Sequence, residues 1–137
     1  MKIVLDTNVL LVSLLKSSKY RPIFDSLLTR KFELIITHDI FQEYIEIIDQ
    51  RTNSRIAKNV GELLLSLENV EQIEVYYKWL LIDKDPDDNK FIDCAISGNV
   101  DYIVSNDKHF NVLSNIKFPS IEVVTADQFL LELEESD

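Results

Sequence analysis

Apolar positions along this chain fall into two alternating patterns. Ile3-Val4-Leu5, Leu34-Ile35-Ile36 and Tyr102-Ile103-Val104 are short continuous runs, as expected of strands buried on both faces. Ile121-Glu122-Val123-Val124 predicts a fourth strand whose single polar residue suits an edge. Between these runs the spacing becomes helical. Ile40, Phe41, Tyr44, Ile45 and Ile48 share one face of a helix starting near Thr37-His38. Ile56, Val60, Leu63, Leu64 and Leu67 align on another, from about Asn53 to Leu67. Pro22 suits the first turn of a helix through Phe24, Leu27 and Leu28. Thr125-Ala126-Asp127-Gln128 matches a capping box ahead of Phe129-Leu130-Leu131. Asp87 or Asp88 is placed to cap the helix carrying Phe91, Ile92 and Ala95. Strands alternating with helices predict an α/β fold around a mostly parallel sheet of four to five strands, in a single domain over residues 1–137.

Composition narrows the chemistry. The only glycines are Gly61 and Gly98, so neither a dinucleotide-binding fingerprint nor a Walker A loop is present. A single cysteine, Cys94, excludes an internal disulfide and a Cys-based zinc site, and its apolar surroundings in the sequence mark it as a core thiol. An acid interrupts the apolar start after Ile3-Val4-Leu5, unlike a signal peptide, and no stretch has the ~18 apolar residues of a membrane span. A cytoplasmic location and no membrane partner are the expectation.

The acids can be sorted by the rule that open α/β sheets bind ligands beyond the carboxyl ends of their strands. Asp6 directly follows the first strand, and Asp107 lies one short turn past Tyr102-Ile103-Val104. Glu43 lies in the helix after Leu34-Ile35-Ile36, at the border of its apolar stripe, whereas Glu46 and Asp49 fall on the solvated side. Asp88 opens the helix before the Tyr102 strand. A lone Asp at a strand end is ordinarily a cap or turn former. Four acids at one edge repel each other and call for a compensating charge, for which a divalent cation is the simplest candidate. Asn8 and Ser105 are placed to orient a carboxylate or contact phosphate, or to act as local caps. Asp93 follows Asp88 by five residues, about 140° around an ideal helix, and ranks as a fifth, possible ligand. Asp83, Asp85 and Asp87 read as loop and helix-start charge, with Asp85 or Asp87 as alternates to Asp88. His38 reads as structural, and His109, beside Asp107, as a lesser candidate for proton transfer.

In these segments the chain resembles PIN-domain ribonucleases, specifically the small toxin-type members of bacterial and archaeal toxin–antitoxin pairs. The matching pieces are Leu5-Asp6-Thr7-Asn8, Glu43 within Phe41-Gln42-Glu43-Tyr44, Asp85-Pro86-Asp87-Asp88-Asn89-Lys90-Phe91-Ile92-Asp93-Cys94-Ala95, and Asp101-Tyr102-Ile103-Val104-Ser105-Asn106-Asp107. Asp-Thr-Asn alone is a weak motif; the last two segments at their mutual spacing are more specific. Many relatives carry an Asn at the position of Asp107 and an acid a few residues later, where this chain has His109-Phe110. The resemblance implies a PIN-like α/β/α sandwich and a Mg²⁺- or Mn²⁺-dependent endoribonuclease using one or two ions, with Asp6, Glu43, Asp88 and Asp107 as its acidic site. It also implies a homodimer and a small antitoxin that covers or distorts the site. The alternative is a PIN-fold RNA-binding or scaffold module without turnover. Phospho-receiver and haloacid-dehalogenase-like domains fit poorly; the latter need Asp-x-Asp, and here the third position is Asn8.

Charge bears on the substrate. Twenty-four acids against fourteen Lys and Arg give a net charge of −10, opposite to the basic footprint usual for nucleic-acid binding. The imbalance is uneven. Residues 16–58 carry eight bases and six acids, for +2, whereas residues 59–137 carry five bases and seventeen acids, for −12. The basic N-terminal region, with Arg51, Arg55 and Lys58, is therefore the expected contact for RNA or for an acidic antitoxin segment.

Overall fold

The computed structural model describes residues 1–82 and 86–135. The three continuous apolar runs form the centre of one sheet, as β1 (Lys2–Leu5), β2 (Glu33–Ile36) and a third strand, Tyr102–Val104. Two edge strands complete it, Val70–Gln72 and Val123–Val124. Numbered along the chain, Val70–Gln72 is β3, Tyr102–Val104 is β4 and Val123–Val124 is β5. Their order is β3-β2-β1-β4-β5, and every pairing is parallel. Ile3, Val4, Leu34, Ile36, Ile103 and Val104 have no exposed surface, which is why their runs show no polar alternation. Each such aliphatic side chain contributes roughly 1.5–3 kcal/mol by burial.

Both edges depart from the sequence pattern. β3 is not foreshadowed, because Val70-Glu71-Gln72 holds one apolar residue and joins the sheet through its backbone register with Leu34, Ile35 and Ile36. β5 keeps only two of the four expected residues, Val123 and Val124, opposite Ile103 and Val104.

The helices are α1 (Thr7–Ser13), α2 (Arg21–Leu28), α3 (His38–Arg51), α4 (Ser54–Ser66), α5 (Asn89–Ser97) and α6 (Ala126–Glu135). Thr37 caps α3 by accepting the Ile40 N–H at 3.2 Å, and Asn53 caps α4 by accepting that of Ile56 at 2.9 Å. The expected capping box before α6 is present: the Thr125 hydroxyl accepts the Gln128 N–H at 3.1 Å, and the Gln128 side chain accepts the Thr125 N–H at 2.8 Å. The buried face of α4 differs from the one its large residues suggest. Ala57, Val60, Gly61 and Leu64 point inward, and Ile56 is exposed. Close packing on α3 explains this, since a Cβ at position 61 would lie 2.9 Å from the Ile45 Cδ1.

Because the sheet is all parallel, β1, β2 and β4 end at one edge. The residues that follow them, Asp6, Thr37 and Ser105, start the loops and helices of that edge. Among the described residues, no helix is long and apolar enough to cross a membrane.

Candidate active site

Asp6 sits where β1 turns into α1. Its N–H donates to the Val104 carbonyl at 3.0 Å, extending the β1–β4 ladder by one bond. Its carboxylate stands at the N-cap position of α1 but makes no cap hydrogen bond. Instead it accepts the Ser105 hydroxyl at 2.8 Å, while the Ser105 Oγ accepts the Asp107 N–H at 3.0 Å. Ser105 thus ties together the acids that follow two neighbouring strands. Asp6 is 6% exposed, and burial, followed by the charges of Asp107 and Glu43, pushes its carboxyl up against the lowering effect of Ser105 and the Thr7 N–H.

Asp107 begins the 3₁₀ segment Lys108–Asn115, where its Oδ1 accepts the His109 N–H at 2.9 Å. That turn brings the His109 Nδ1 to 3.4 Å from the Asp107 Oδ1 and 3.3 Å from the Asp88 Oδ2. Asp88 ends the 3₁₀ turn Pro86–Asp88 and precedes α5, again without a cap hydrogen bond, which corrects the expectation that it caps that helix. One donor atom from each of Asp88, Asp107 and His109 lies within 4.8 Å of the other two.

Glu43 arrives from the second turn of α3. One carboxylate oxygen accepts the Thr7 hydroxyl, and the other meets the Lys90 Nζ at 2.6 Å. Lys90, in the first turn of α5, also pairs with Asp87 at 3.0 Å. The next residue of α3 braces the arrangement: the buried Tyr44 hydroxyl donates to the Leu5 carbonyl at 2.6 Å. A single hydrogen bond therefore joins the residue after Glu43 to the residue before Asp6.

Asp6, Glu43, Asp88 and Asp107 are thus gathered at one edge of the sheet, and Ser105 lies between two of them. Asp93 is turned elsewhere: it accepts the Trp79 N–H at 3.0 Å, and burial, opposed by that bond and by Lys78, raises its carboxyl. Asn8 is exposed in the first turn of α1, and His38 is exposed at the start of α3. Asp83, Asp85 and Asp137 lie outside the described residues. Arg51, Arg55 and Lys58 are exposed near the junction of α3 and α4, with Arg51 about 12 Å along the α3 axis from Glu43. Reasoning from sequence overlooked Thr7, Tyr44 and Lys90. Only Lys90 carried a signal, its three-residue spacing from Asp87 on a helix start.

A cleft of about 750 Å³ opens beside the site between α3, residues 73–80 and the start of α5. Its walls carry Asp39, Glu43, Glu46, Glu74, Asp87 and Asp93 against Lys78 and Lys90. Phosphate is repelled from such walls unless cations intervene.

Carboxylates converging at the carboxyl ends of a parallel sheet are donors of the type that hard cations take. The chain belongs to the PIN domain family, whose pattern matches residues 2–109 and so spans all four acids. Among solved structures, it is similar to VapBC-1 from nontypeable Haemophilus influenzae, at 17% identity and TM-score 0.63, covering 93% of this chain and 99% of that one. It is also similar to VapBC2 from Rickettsia felis, solved with a promoter DNA fragment, at 18% identity and TM-score 0.62, covering 91% and 98%. A third similar structure is Mycobacterium tuberculosis VapC20, a toxin that cleaves the sarcin–ricin loop, at 11% identity and TM-score 0.59, covering 80% and 92%. No curated protein sequence matches the chain. At these identities the structural likeness establishes the fold alone.

Proposed function

We propose that this protein is a metal-dependent endoribonuclease and the toxin of a toxin–antitoxin pair. One observation carries the reading: Asp6, Glu43, Asp88 and Asp107, from four separate stretches of sequence, gather at the carboxyl edge of the parallel sheet, where open α/β folds bind ligands. The PIN family is generally one of nucleases, and the similar VapBC complexes support a small antitoxin as partner. A second copy of the chain and a cytoplasmic setting complete the proposal.

The residues fit a divalent cation. Donors of Asp88, Asp107 and His109 are within 4.8 Å of each other, and like charges crowd Asp6. Oxygen-rich sets of this kind suit Mg²⁺ or Mn²⁺, and an imidazole nitrogen at the border is tolerated better by Mn²⁺. Asp6, Asp88 and Asp107 would hold the ion. When bound, it supplies Lewis acidity for the phosphate and for the attacking water. Ser105 holds Asp6 and Asp107 at fixed separation, so little reorganisation is needed when phosphate arrives. Tyr44 sets the distance between the elements carrying Asp6 and Glu43. His109, facing two carboxylates, is positioned to move a proton at the border of the site.

Asp6→Asn is expected to abolish cleavage of single-stranded RNA by highly purified protein while the circular-dichroism spectrum is retained. EDTA should stop the wild-type reaction and Mn²⁺ restore it. Cleavage that survives both treatments overturns the mechanism.

A further inference from the structure

The four acids are not equivalent, and Lys90 is what separates them. Asp6, Asp88 and Asp107 are linked through Ser105 and His109. Glu43 has both carboxylate oxygens engaged elsewhere, one by the Thr7 hydroxyl and one by the Lys90 ammonium at 2.6 Å. Lys90 and Glu43 side chains are 19% and 20% exposed, so this ion pair is shielded from solvent, unlike the bond to Asp87, whose side chain is 71% exposed. Contacts this short between opposite charges are the strong class of hydrogen bond.

From this geometry we propose that Lys90 acts as a built-in cation in the place a second metal ion would take, so that the site binds one divalent ion, beside Asp6, Asp88 and Asp107. The inference rests on the metal-site reading above and makes Lys90 a positioning residue for Glu43. An ammonium and a divalent ion compete for the same carboxylate oxygens. A Mg²⁺-type ion needs oxygens at about 2.1 Å, and one on the Glu43 oxygen that meets Lys90 would lie against a positive charge in a poorly solvated site. The ammonium also draws Asp87 towards Glu43. The Nζ also lies 5.7 Å from the Phe91 ring centroid, a further contact that favours a cation at this point. Removing Lys90 leaves the Glu43 carboxylate oxygen without its ammonium partner and beside Asp87, an arrangement suited to a second ion.

The test is Mn²⁺ stoichiometry, measured by calorimetry and by electron paramagnetic resonance on metal-free protein. Wild type and Lys90→Arg are expected to bind one Mn²⁺ per chain, and Lys90→Gln two. A second expectation does not depend on how Lys90→Gln folds: Glu43→Gln should still bind one ion, because Glu43 is not a ligand in the wild type. Two ions in the wild type overturn the role of Lys90 and leave the metal-site reading intact. So does one ion in folded Lys90→Gln, or loss of the ion in Glu43→Gln. Absence of Mn²⁺ binding by the wild type overturns the metal-site reading itself, and this inference with it.

Discussion

Tyr44→Phe removes one oxygen atom and tests how the site is braced. The peptide unit between Leu5 and Asp6 donates its N–H to Val104 of β4 at 3.0 Å. The carbonyl of a trans peptide points the opposite way, so that of Leu5 faces the β2 side. The β1–β2 register ends at Ile3 opposite Leu34, and at Leu5 the Tyr44 hydroxyl supplies the donor at 2.6 Å. Tyr44 has no exposed surface, so phenylalanine leaves the Leu5 carbonyl buried and unpaired. Such a loss costs about 1–3 kcal/mol. With an unfolding entropy of about 2.1 cal/mol/K per residue, this lowers Tm by roughly 3–10 °C. In urea, monitored by circular dichroism, the midpoint should fall at constant m value. Because Tyr44 follows Glu43 and Leu5 precedes Asp6, Mn²⁺ affinity should weaken as well.

The pH dependence adds an independent check on the same variant. Burial, ahead of neighbouring negative charge, raises the Tyr44 hydroxyl well above 10.0. Its folded pKa exceeds its unfolded one, so the associated stability is complete below pH 10 and is lost as pH rises further. The difference between wild type and Tyr44→Phe should therefore be flat from neutral pH to about 10 and narrow above it. Cys94, pushed from 9.0 to about 12 by burial, has the same sign and weakens both proteins over that interval. A stability loss below about 0.5 kcal/mol at pH 7 would refute the bracing argument, because it would mean the carbonyl finds another donor.

Asp6→Asn, inactive by the mechanism above, should be more stable than wild type in EDTA at pH 7, read as a higher Tm. The sign follows from a carboxyl raised above 3.8 by burial and by Asp107 and Glu43: its favourable contribution is complete below 3.8 and is lost as pH rises. The two proteins should converge in acid, and a destabilised Asp6→Asn at pH 7 would contradict this account. Asp93→Asn should bind Mn²⁺ as the wild type does and keep its acceptor for the Trp79 N–H. Asp93→Ala should free the 73–82 segment and shift the emission of Trp79, the only tryptophan. Loss of Mn²⁺ binding in Asp93→Asn would make Asp93 a ligand after all.

The central strands, the start of α3, the cap of α6 and the strand-end acids were legible because each is set by local rules. A strand buried on both faces must be continuously apolar, and a helix start needs side-chain acceptors such as Thr37, Asn53 and Thr125. The edges were less legible. β3 is held mainly by backbone pairing, with only Val70 packed on the core, and the face that α4 buries is decided by close packing at Gly61. Asp107 shows how the bland and functional readings coexist, since it caps its own turn and also faces His109.

By itself, then, the sequence determined a parallel α/β sheet with Asp6, Glu43, Asp88 and Asp107 near one edge of it. Hydrophobic periodicity and strand-end position are properties of neighbours along the chain. Tertiary structure alone decided that Ser105 bridges Asp6 and Asp107, that Tyr44 braces Leu5, that Asp93 turns to Trp79, and that Lys90 takes Glu43. These contacts join residues 14 to 99 positions apart, apart from the Ser105–Asp107 turn. No local pattern encodes their distance or direction, which depend on how the helices settle on the sheet.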